Sequence, residues 1–248
     1  MSQPPYSPIL ELRMYALHPG RRDDLIRLFE REFLESQEAV GIQVIGQFYD
    51  LDDPNRFIWL RGFHDMAARA EALRAFYSGP IWKAHRDAAN ATMIDSDNVL
   101  LLRLPHGACG FSLRDTKRPP AGSIKKQNGF IATTIYYFDT PVGAEFTRYF
   151  EQAIKPELAE TGASILAYFV TEDSPNTFPQ LPVREGENAF VWFAGFSDQE
   201  AHKNHLFGLR QSSLWNDQIA KYLKEHLKGK PEVLRLTPTP RSWLTGNV

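Results

Sequence analysis

Hydrophobic positions along the chain form two series of elements with the same order. Each series begins with a predicted strand of branched and aromatic residues, Ile9–Leu17 in the first and Phe130–Phe138 in the second. Apolar residues at helical spacing follow, and a glycine, Gly41 or Gly162, stands where such a helix would end. Each series therefore opens with a strand and a helix.

The remaining elements also correspond between the two series. Each continues with two strands, two short helices and a closing strand. The first series places them at 42–49, 56–63, 65–77, 80–92 and 99–104. The second places them at 164–170, 190–196, 198–208, 213–227 and 232–237. The resulting order, βαββαβ, is that of the ferredoxin-like unit.

Sequence identities connect the two series. The segment 55–63 matches 188–196, with Asn, Phe, Trp, Gly and Phe identical in register. The offset between the copies is 121 before the loop after the second strand and 133 beyond it, so the second copy has about twelve extra residues within 172–187. We predict an internal duplication and call the copies the first and second repeats.

One βαββαβ unit covers a single face of its sheet with helices, and a second copy can cover the other face. The sequence therefore predicts an α+β fold in which two tandem ferredoxin-like repeats form a pseudo-dimeric α+β barrel. We expect the repeats at 1–105 and 130–248, joined by an exposed linker at 106–129 that is rich in Pro, Gly and basic residues. Its basic side chains could contact a phosphate or acidic partner, but we interpret them as solvated: Arg114, Lys117, Arg118, Lys125 and Lys126.

Composition narrows the class of protein. The chain has 248 residues, 43% of them hydrophobic, and a formal net charge of −2, which argues against broad nucleic-acid binding. No apolar run approaches the roughly 18 residues of a spanning helix, and the start lacks a secretory pattern, so we expect a cytoplasmic protein without a membrane span. The single cysteine, Cys109, excludes an internal disulfide and has no neighbouring base to activate it. Nucleotide, zinc-protease and hydrolase motifs are absent.

Short motifs in the first repeat resemble a known family. The opening Glu11-Leu-Arg-Met-Tyr15, then Leu-His-Pro-Gly20, Gly41-Ile-Gln-Val-Ile-Gly46 and the helix with Trp82 occur in this order. Over roughly 9–105 the sequence resembles the NIPSNAP family, whereas the second repeat departs from it at the opening. The resemblance implies the dimeric α+β barrel superfamily, whose members include cofactor-free oxygenases, isomerases, cyclases and haem enzymes. It also implies a homo-oligomer.

Candidate site residues come from the alternation of side chains along the strands. Glu11, Arg13 and Tyr15 share one face of the first strand, and Trp59 and Arg61 share one face of the third. We interpret these faces as lining the interior of the barrel. Arg103 on the last strand is assigned to the same lining.

Comparing the repeats isolates the charged members of this set. Glu11, Arg13 and Arg61 align with Ala132, Thr134 and Ala194. By contrast, the other candidates keep their identity in the second repeat: Tyr15, Trp59 and Arg103 align with Tyr136, Trp192 and Arg235. The charged residues therefore predict one polar site, on the side of the first repeat.

The residue types suggest a role for each candidate. The guanidinium groups of Arg13 and Arg61 suit a carboxylate or enolate oxygen, and the Tyr15 hydroxyl can donate or relay a proton. Glu11 would orient them or act as a base. The alternative is an ion pair of Glu11 with the arginines that serves structure alone. Trp59 is either scaffold or a wall on which a ligand stacks.

Three histidines are further candidates. His85, three residues after Trp82 on one helical face, is a candidate general base or axial haem ligand, or else a residue at the edge of the core. His202 and His205 form an i, i+3 pair, but without accompanying carboxylates we predict no metal site. We expect no cofactor, with haem as the alternative.

The predicted function is the binding of an aromatic or carboxylate-bearing small molecule in the barrel, with cofactor-independent oxygenation, isomerisation or cyclisation as the possible reaction. The alternative is a non-catalytic interaction module whose barrel is a filled core. A cavity of roughly a few hundred Å³ beside Arg13 and Arg61 would favour the first function, whereas a solidly packed core with both arginines in water would contradict it.

Overall fold

Nine strands form one sheet in the part of the chain that the structure describes. The structure, a computed structural model, describes residues 7–107, 109–113 and 117–246. The strands are β1 (Ile9–Leu17), β2 (Gln43–Asp50), β3 (Arg56–Phe63), β4 (Met93–Asp95), β5 (Val99–Arg103), β6 (Phe130–Phe138), β7 (Ser164–Thr171), β8 (Asn188–Phe196) and β9 (Glu232–Pro238).

Six helices lie in the described part of the chain. Helix α1 comprises Arg22–Leu28, a π-helical turn at Phe29–Phe33, and Leu34–Glu38; α2 is Met66–Ser78 and α3 is Pro80–Asn90. Helix α4 comprises Ala144–Tyr149, a π-helical turn at Phe150–Ile154, and Lys155–Glu160; α5 is Gln199–Gln211, and α6 comprises the π-helical Trp215–Ile219 and Ala220–His226. Among these described helices, none has the length and apolar character needed to cross a bilayer.

Local sequence explains where several helices begin and end. Asp65 and Asp198 precede α2 and α5, and each carboxylate accepts a hydrogen bond from the backbone N–H three residues later. Gly41 and Gly162 follow α1 and α4 with φ of 90° and 101°, a backbone conformation that glycine adopts without strain. The two repeats thus use the same start and stop signals.

The strands close into a barrel. Their order is β3-β2-β9-β6-β8-β7-β5-β1, and β1 pairs again with β3, while the short β4 lies outside this circle on β1. All pairings are antiparallel, and the repeats meet where β2 pairs with β9 and β5 with β7. The predicted fold class, an α+β barrel, is confirmed.

Apolar side chains from all eight strands of the circle fill the interior of the barrel. Leu12 and Ile58 of the first repeat contact a cluster that includes Phe169 and Val191 of the second, and each is at most 1% exposed. No helix contributes to this interior cluster in the described residues. An eight-stranded barrel is just wide enough for side chains to fill it.

The prediction of which strand faces line the barrel is therefore wrong. Leu10, Leu12 and Met14 of β1 point inward, whereas Tyr15 and its face of the strand pack against the helices of the first repeat. Both faces of β1 are buried, so alternation separates two faces without identifying the inner one. The interior, which is filled by apolar side chains, takes the wholly apolar face of β1.

The segment between the repeats is also less exposed than predicted. Phe111 and Leu113 join the interior of the barrel, and Cys109 is buried against the second repeat. The Cys109 thiol donates a hydrogen bond to the His106 carbonyl oxygen at 2.9 Å, and burial raises the pKa of the thiol. Arg118 donates to Glu38 and to the Val44 carbonyl oxygen. Lys117, Lys125 and Lys126 are exposed as expected, and Arg114 lies outside the described residues.

Candidate functional site

A buried cluster of charged side chains lies between the sheet and the helices of the first repeat. β1 and β3 place Glu11 directly opposite Arg61, β1 also contributes Arg13, and α2 contributes Arg69. All four residues have no exposed surface. We call them the arginine cluster.

One carboxylate binds all three guanidinium groups of the arginine cluster. Glu11 Oε2 accepts hydrogen bonds from Arg13 Nη1 at 2.6 Å and Arg61 Nε at 2.7 Å. Its other oxygen, Oε1, accepts from Arg69 Nε at 2.7 Å. Arg61 Nη2 and Arg69 Nη2 have no hydrogen-bond partner among the described residues.

The electrostatics of the cluster favour the ionised form of Glu11 and make it a weak base. Burial alone would raise the pKa of Glu11, but the attraction of Arg61, Arg13 and Arg69 outweighs it and holds the pKa far below its ordinary range. For Arg13, burial alone would lower the pKa, yet Tyr15 and Glu11 raise it overall. The cluster therefore carries three positive charges and one negative charge, and a net positive charge in a buried site is costly unless it is compensated.

Two tyrosine hydroxyls separate the arginine cluster from an aromatic pocket. Arg13 Nε donates to the Tyr15 hydroxyl oxygen at 2.9 Å, and Arg61 Nη1 donates to the Tyr77 hydroxyl oxygen at 3.4 Å. Each phenol oxygen accepts from a cation, so its own proton remains available for donation. Burial raises the pKa of Tyr15, so this hydroxyl is protonated at neutral pH.

The aromatic pocket lies between β1, β3 and the helices α1, α2 and α3. Its cavity is about 30 Å³, space for one or two water molecules. Most of its aromatic lining comes from six side chains: Tyr15, Phe29, Phe33, Trp59, Tyr77 and Trp82. Trp59 Nε1 is buried and has no hydrogen-bond partner among the described residues. The wall of the pocket thus includes two tyrosine hydroxyls that contact the buried cations, and a tryptophan whose indole N–H has no partner among the described residues.

Trp59 supports both the pocket and the cluster. Its ring packs edge-on against Tyr15, with 5.9 Å between the ring centroids and an interplanar angle of 84°. The Arg61 guanidinium carbon lies 5.1 Å from the centroid of the indole ring, within the range of a cation–π contact. The structure therefore brings together Glu11, Arg13, Tyr15, Trp59 and Arg61, as the sequence comparison suggested, although outside the barrel.

The second repeat closes one side of this site. Asn176 Oδ1 accepts a hydrogen bond from Arg69 Nη1 at 2.9 Å, and Thr177 Oγ1 lies 3.2 Å from the same nitrogen. The Phe178 ring stacks on Tyr77 with 5.8 Å between centroids. The twelve-residue insertion of the second repeat is thus a wall of the site in the first.

Sequence reasoning missed Arg69, Tyr77, Asn176 and Thr177. Arg69 could have been found, because it stands four residues after Asp65, where the second repeat has His202 after Asp198. It is a fourth charged position that the second repeat lacks. The insertion has no counterpart in the first repeat, so the comparison carries no signal for Asn176 or Thr177.

Arg103 lies apart from the arginine cluster. It is partly exposed, and its Nη2 is 3.5 Å from Asp173 Oδ2 of the second repeat. Its counterpart Arg235 forms the matching ion pair with Asp52 of the first repeat. These arginines link the two repeats, which explains why both copies keep them.

His85 is also outside the pocket. Its Nε2 lies 3.4 Å from Glu32 Oε2 on α1, and the side chain is 30% exposed. No histidine lines the pocket among the described residues, so His85 does not stand there as a base or an axial haem ligand. No group of three or more His, Cys, Asp or Glu side chains in the described ranges is arranged to hold a metal ion.

Fold and site together define an α+β barrel protein with a buried polar site in its first repeat. Residues 10–106, which make up most of the first repeat, match the NIPSNAP family model. A search of curated proteins finds no match for the chain.

Solved structures resemble the whole chain. A candidate monooxygenase from Fusobacterium nucleatum is 14% identical, with a TM-score of 0.56 over 94% of this chain and 93% of that one. A candidate monooxygenase from Lactobacillus acidophilus is 16% identical, with a TM-score of 0.54 over 94% of each chain. An anthrone oxidase-like protein is 12% identical, with a TM-score of 0.55 over 99% of this chain and 98% of that one. At these identities the likeness concerns the fold alone.

Proposed function

We propose that this protein binds an aromatic small molecule carrying an anionic oxygen, between the sheet and the helices of its first repeat. The observation that carries the proposal is the arginine cluster: three buried guanidinium groups share one carboxylate behind the hydroxyls of an aromatic pocket. In this proposal the ligand lies outside the barrel rather than within it.

The charge of the site favours an anion. A carboxylate, enolate or phenolate oxygen at the polar end would accept hydrogen bonds from Tyr15 and Tyr77 and would compensate the buried positive charge. In a site without bulk water such interactions are stronger than at a surface. The aromatic walls would bury the apolar part of the ligand.

Helix α3 is the element that admits a ligand. The cavity of about 30 Å³ is far smaller than the roughly 300 Å³ or more of typical ligand pockets, so binding requires the pocket to widen. Ala89 is the sole buried residue of α3, whereas α2 buries four residues. An element with so few buried contacts separates at low cost. Trp82 and Ala89 of this helix line the pocket and would move with it.

The same geometry supports a reaction class. Donors aimed at a developing anionic oxygen lower the barrier to forming an enolate or phenolate, which is a step shared by cofactor-independent oxygenation and isomerisation. Tyr15 would donate or relay the proton, and Glu11 would hold the arginines in place. The fold of the candidate monooxygenases supports this class, which is the second part of the proposal.

Two probes of equal shape test the binding proposal. Isothermal titration calorimetry with 1-naphthoate and 1-naphthamide compares an anionic aromatic ligand with its neutral analogue. We expect the wild type to prefer 1-naphthoate by at least tenfold. Equal affinity for the two probes, or no binding of either, would contradict the proposal.

The filled interior of the barrel favours a second candidate, a non-catalytic interaction module. Native mass spectrometry of protein purified from its own cells separates the two. A retained small molecule, lost in Tyr77→Ala, supports ligand binding. A protein partner that survives this substitution, with no small molecule retained, supports the interaction module.

A further inference from the structure

The insertion of the second repeat meets the arginine cluster with neutral oxygens. Asn176 Oδ1 and Thr177 Oγ1 are the partners of Arg69 Nη1, on the side of the guanidinium away from the Glu11 contact made by Nε. Both residues are part-buried in these hydrogen bonds, and Arg69 itself is wholly buried. The loop therefore satisfies the hydrogen bonds of a cation without neutralising its charge.

The loop is anchored where it makes these contacts. Thr177 Oγ1 donates to the Met66 carbonyl oxygen at 3.1 Å, and Asn176 Nδ2 donates to the Leu181 carbonyl oxygen at 3.0 Å. The Phe178 backbone N–H donates to Asn176 Oδ1 at 3.0 Å. Asn176 thus uses both ends of its amide, which holds its oxygen towards Arg69.

We propose that Asn176 determines the preference of the pocket for anionic over neutral ligands. An aspartate at this position would place a second carboxylate on the arginine cluster and reduce its net charge from +2 to +1. Asparagine has nearly the same shape but no charge, so the excess positive charge remains for the ligand. The second repeat, which has no charged cluster of its own, in this way sets the specificity of the first. This inference rests on the proposed function.

The test compares Asn176→Asp with Asn176→Ala, using 1-naphthoate and 1-naphthamide in titration calorimetry. We expect Asn176→Asp to weaken 1-naphthoate binding at least tenfold and to change 1-naphthamide binding less than threefold. Asn176→Ala, which removes all hydrogen bonds of the Asn176 side chain without adding charge, should change both probes by similar factors. Equal effects of Asn176→Asp on the two probes would overturn the inference, because a merely structural residue does not distinguish a charged ligand from its neutral analogue.

A measurement without ligand tests the contact itself. Both variants lose the hydrogen bond to Leu181, but only the new carboxylate pairs with Arg69, so Asn176→Asp should have the higher urea midpoint at pH 7. Arg69 would depress the folded-state pKa of this aspartate, and its advantage should therefore disappear as the pH falls below about 4. An Asn176→Asp variant no more stable than Asn176→Ala would overturn the inference.

The two proposals fail in different ways. A wild type that does not distinguish the probes contradicts the proposed function, and the inference on ligand preference falls with it. A wild type that prefers 1-naphthoate, together with an Asn176→Asp variant that keeps the full preference, overturns the inference alone. Gln180→Ala, an exposed position in the same loop, is the control and should leave both affinities unchanged.

Discussion

The two sheet–helix interfaces of this protein share a scaffold but differ in charge. In the first repeat, Glu11 faces Arg61 across β1 and β3. In the second, Ala132 faces Ala194 at the same register of β6 and β8. The second interface is closed by apolar and aromatic side chains and is as well buried as the first. The fold therefore does not require the charged pair.

The helices repeat this difference. His202 of α5 takes the place that Arg69 has in α2, and its ring stacks on Phe130 with 4.6 Å between centroids. Burial, with smaller contributions from His205 and Arg235, lowers the pKa of His202 to about 4, so it is neutral at pH 7. One interface thus keeps four buried charges that the other lacks. A costly feature that the scaffold does not need points to function.

Among these predictions, the greatest loss of stability should come from removing the one negative charge of the arginine cluster. Glu11→Gln would leave three buried guanidinium groups without a carboxylate and should lower the free energy of unfolding by about 3–5 kcal/mol. Urea denaturation at pH 7 measures the loss. Because the pKa of Glu11 is depressed in the folded protein, its contribution is present above the unfolded-state pKa of about 4.3 and is lost as the pH falls below it. A loss below about 1 kcal/mol would show that the charges are not coupled as described.

The matched tryptophans should have equal effects on stability but different effects on ligand binding. Trp192→Ala and Trp59→Ala should each cost about 3–5 kcal/mol, because each removes a large buried ring. Only Trp59→Ala should also weaken 1-naphthoate binding, since Trp59 lines the pocket. Loss of binding in both variants would mean that the two interfaces are functionally equivalent.

The matched tyrosines test the contribution of a single hydroxyl to ligand binding. Tyr15→Phe should weaken 1-naphthoate binding by about 1–1.5 kcal/mol, the usual size of one hydrogen bond, or roughly tenfold. Tyr136→Phe, the same change in the second repeat, should leave the affinity unchanged. Titration calorimetry on both variants measures the effect. Equal losses would place the ligand elsewhere.

The smallest effect concerns the arginines that both repeats keep. Arg103→Ala and Arg235→Ala each remove a partly exposed ion pair and should cost less than about 1 kcal/mol, as surface ion pairs usually do. Neither should alter the binding of 1-naphthoate. A loss of 1-naphthoate binding in Arg103→Ala alone would show that Arg103 takes part in ligand binding.

Part of the site was accessible from the sequence because the repeats act as an internal control. Glu11, Arg13 and Arg61 emerged from their alignment with Ala132, Thr134 and Ala194, and they do meet in space. The location was wrong, because strand alternation defines two faces and both faces of β1 are buried. Helical spacing did not predict the position of His85 correctly. It shares a helical face with Trp82, yet it lies outside the pocket and beside Glu32.

Apart from the short β4, which was not predicted, the sequence alone determined the order of strands and helices, the barrel fold and the charged residues that distinguish the repeats. These follow from local periodicity and from comparing one copy with the other. Only the tertiary structure decided which strand faces meet in the barrel, since that depends on the packing of all eight strands together. It also decided that Asn176 contacts Arg69, 107 positions away in the chain. Such a contact leaves no local pattern, because it forms only when the second repeat closes over the first.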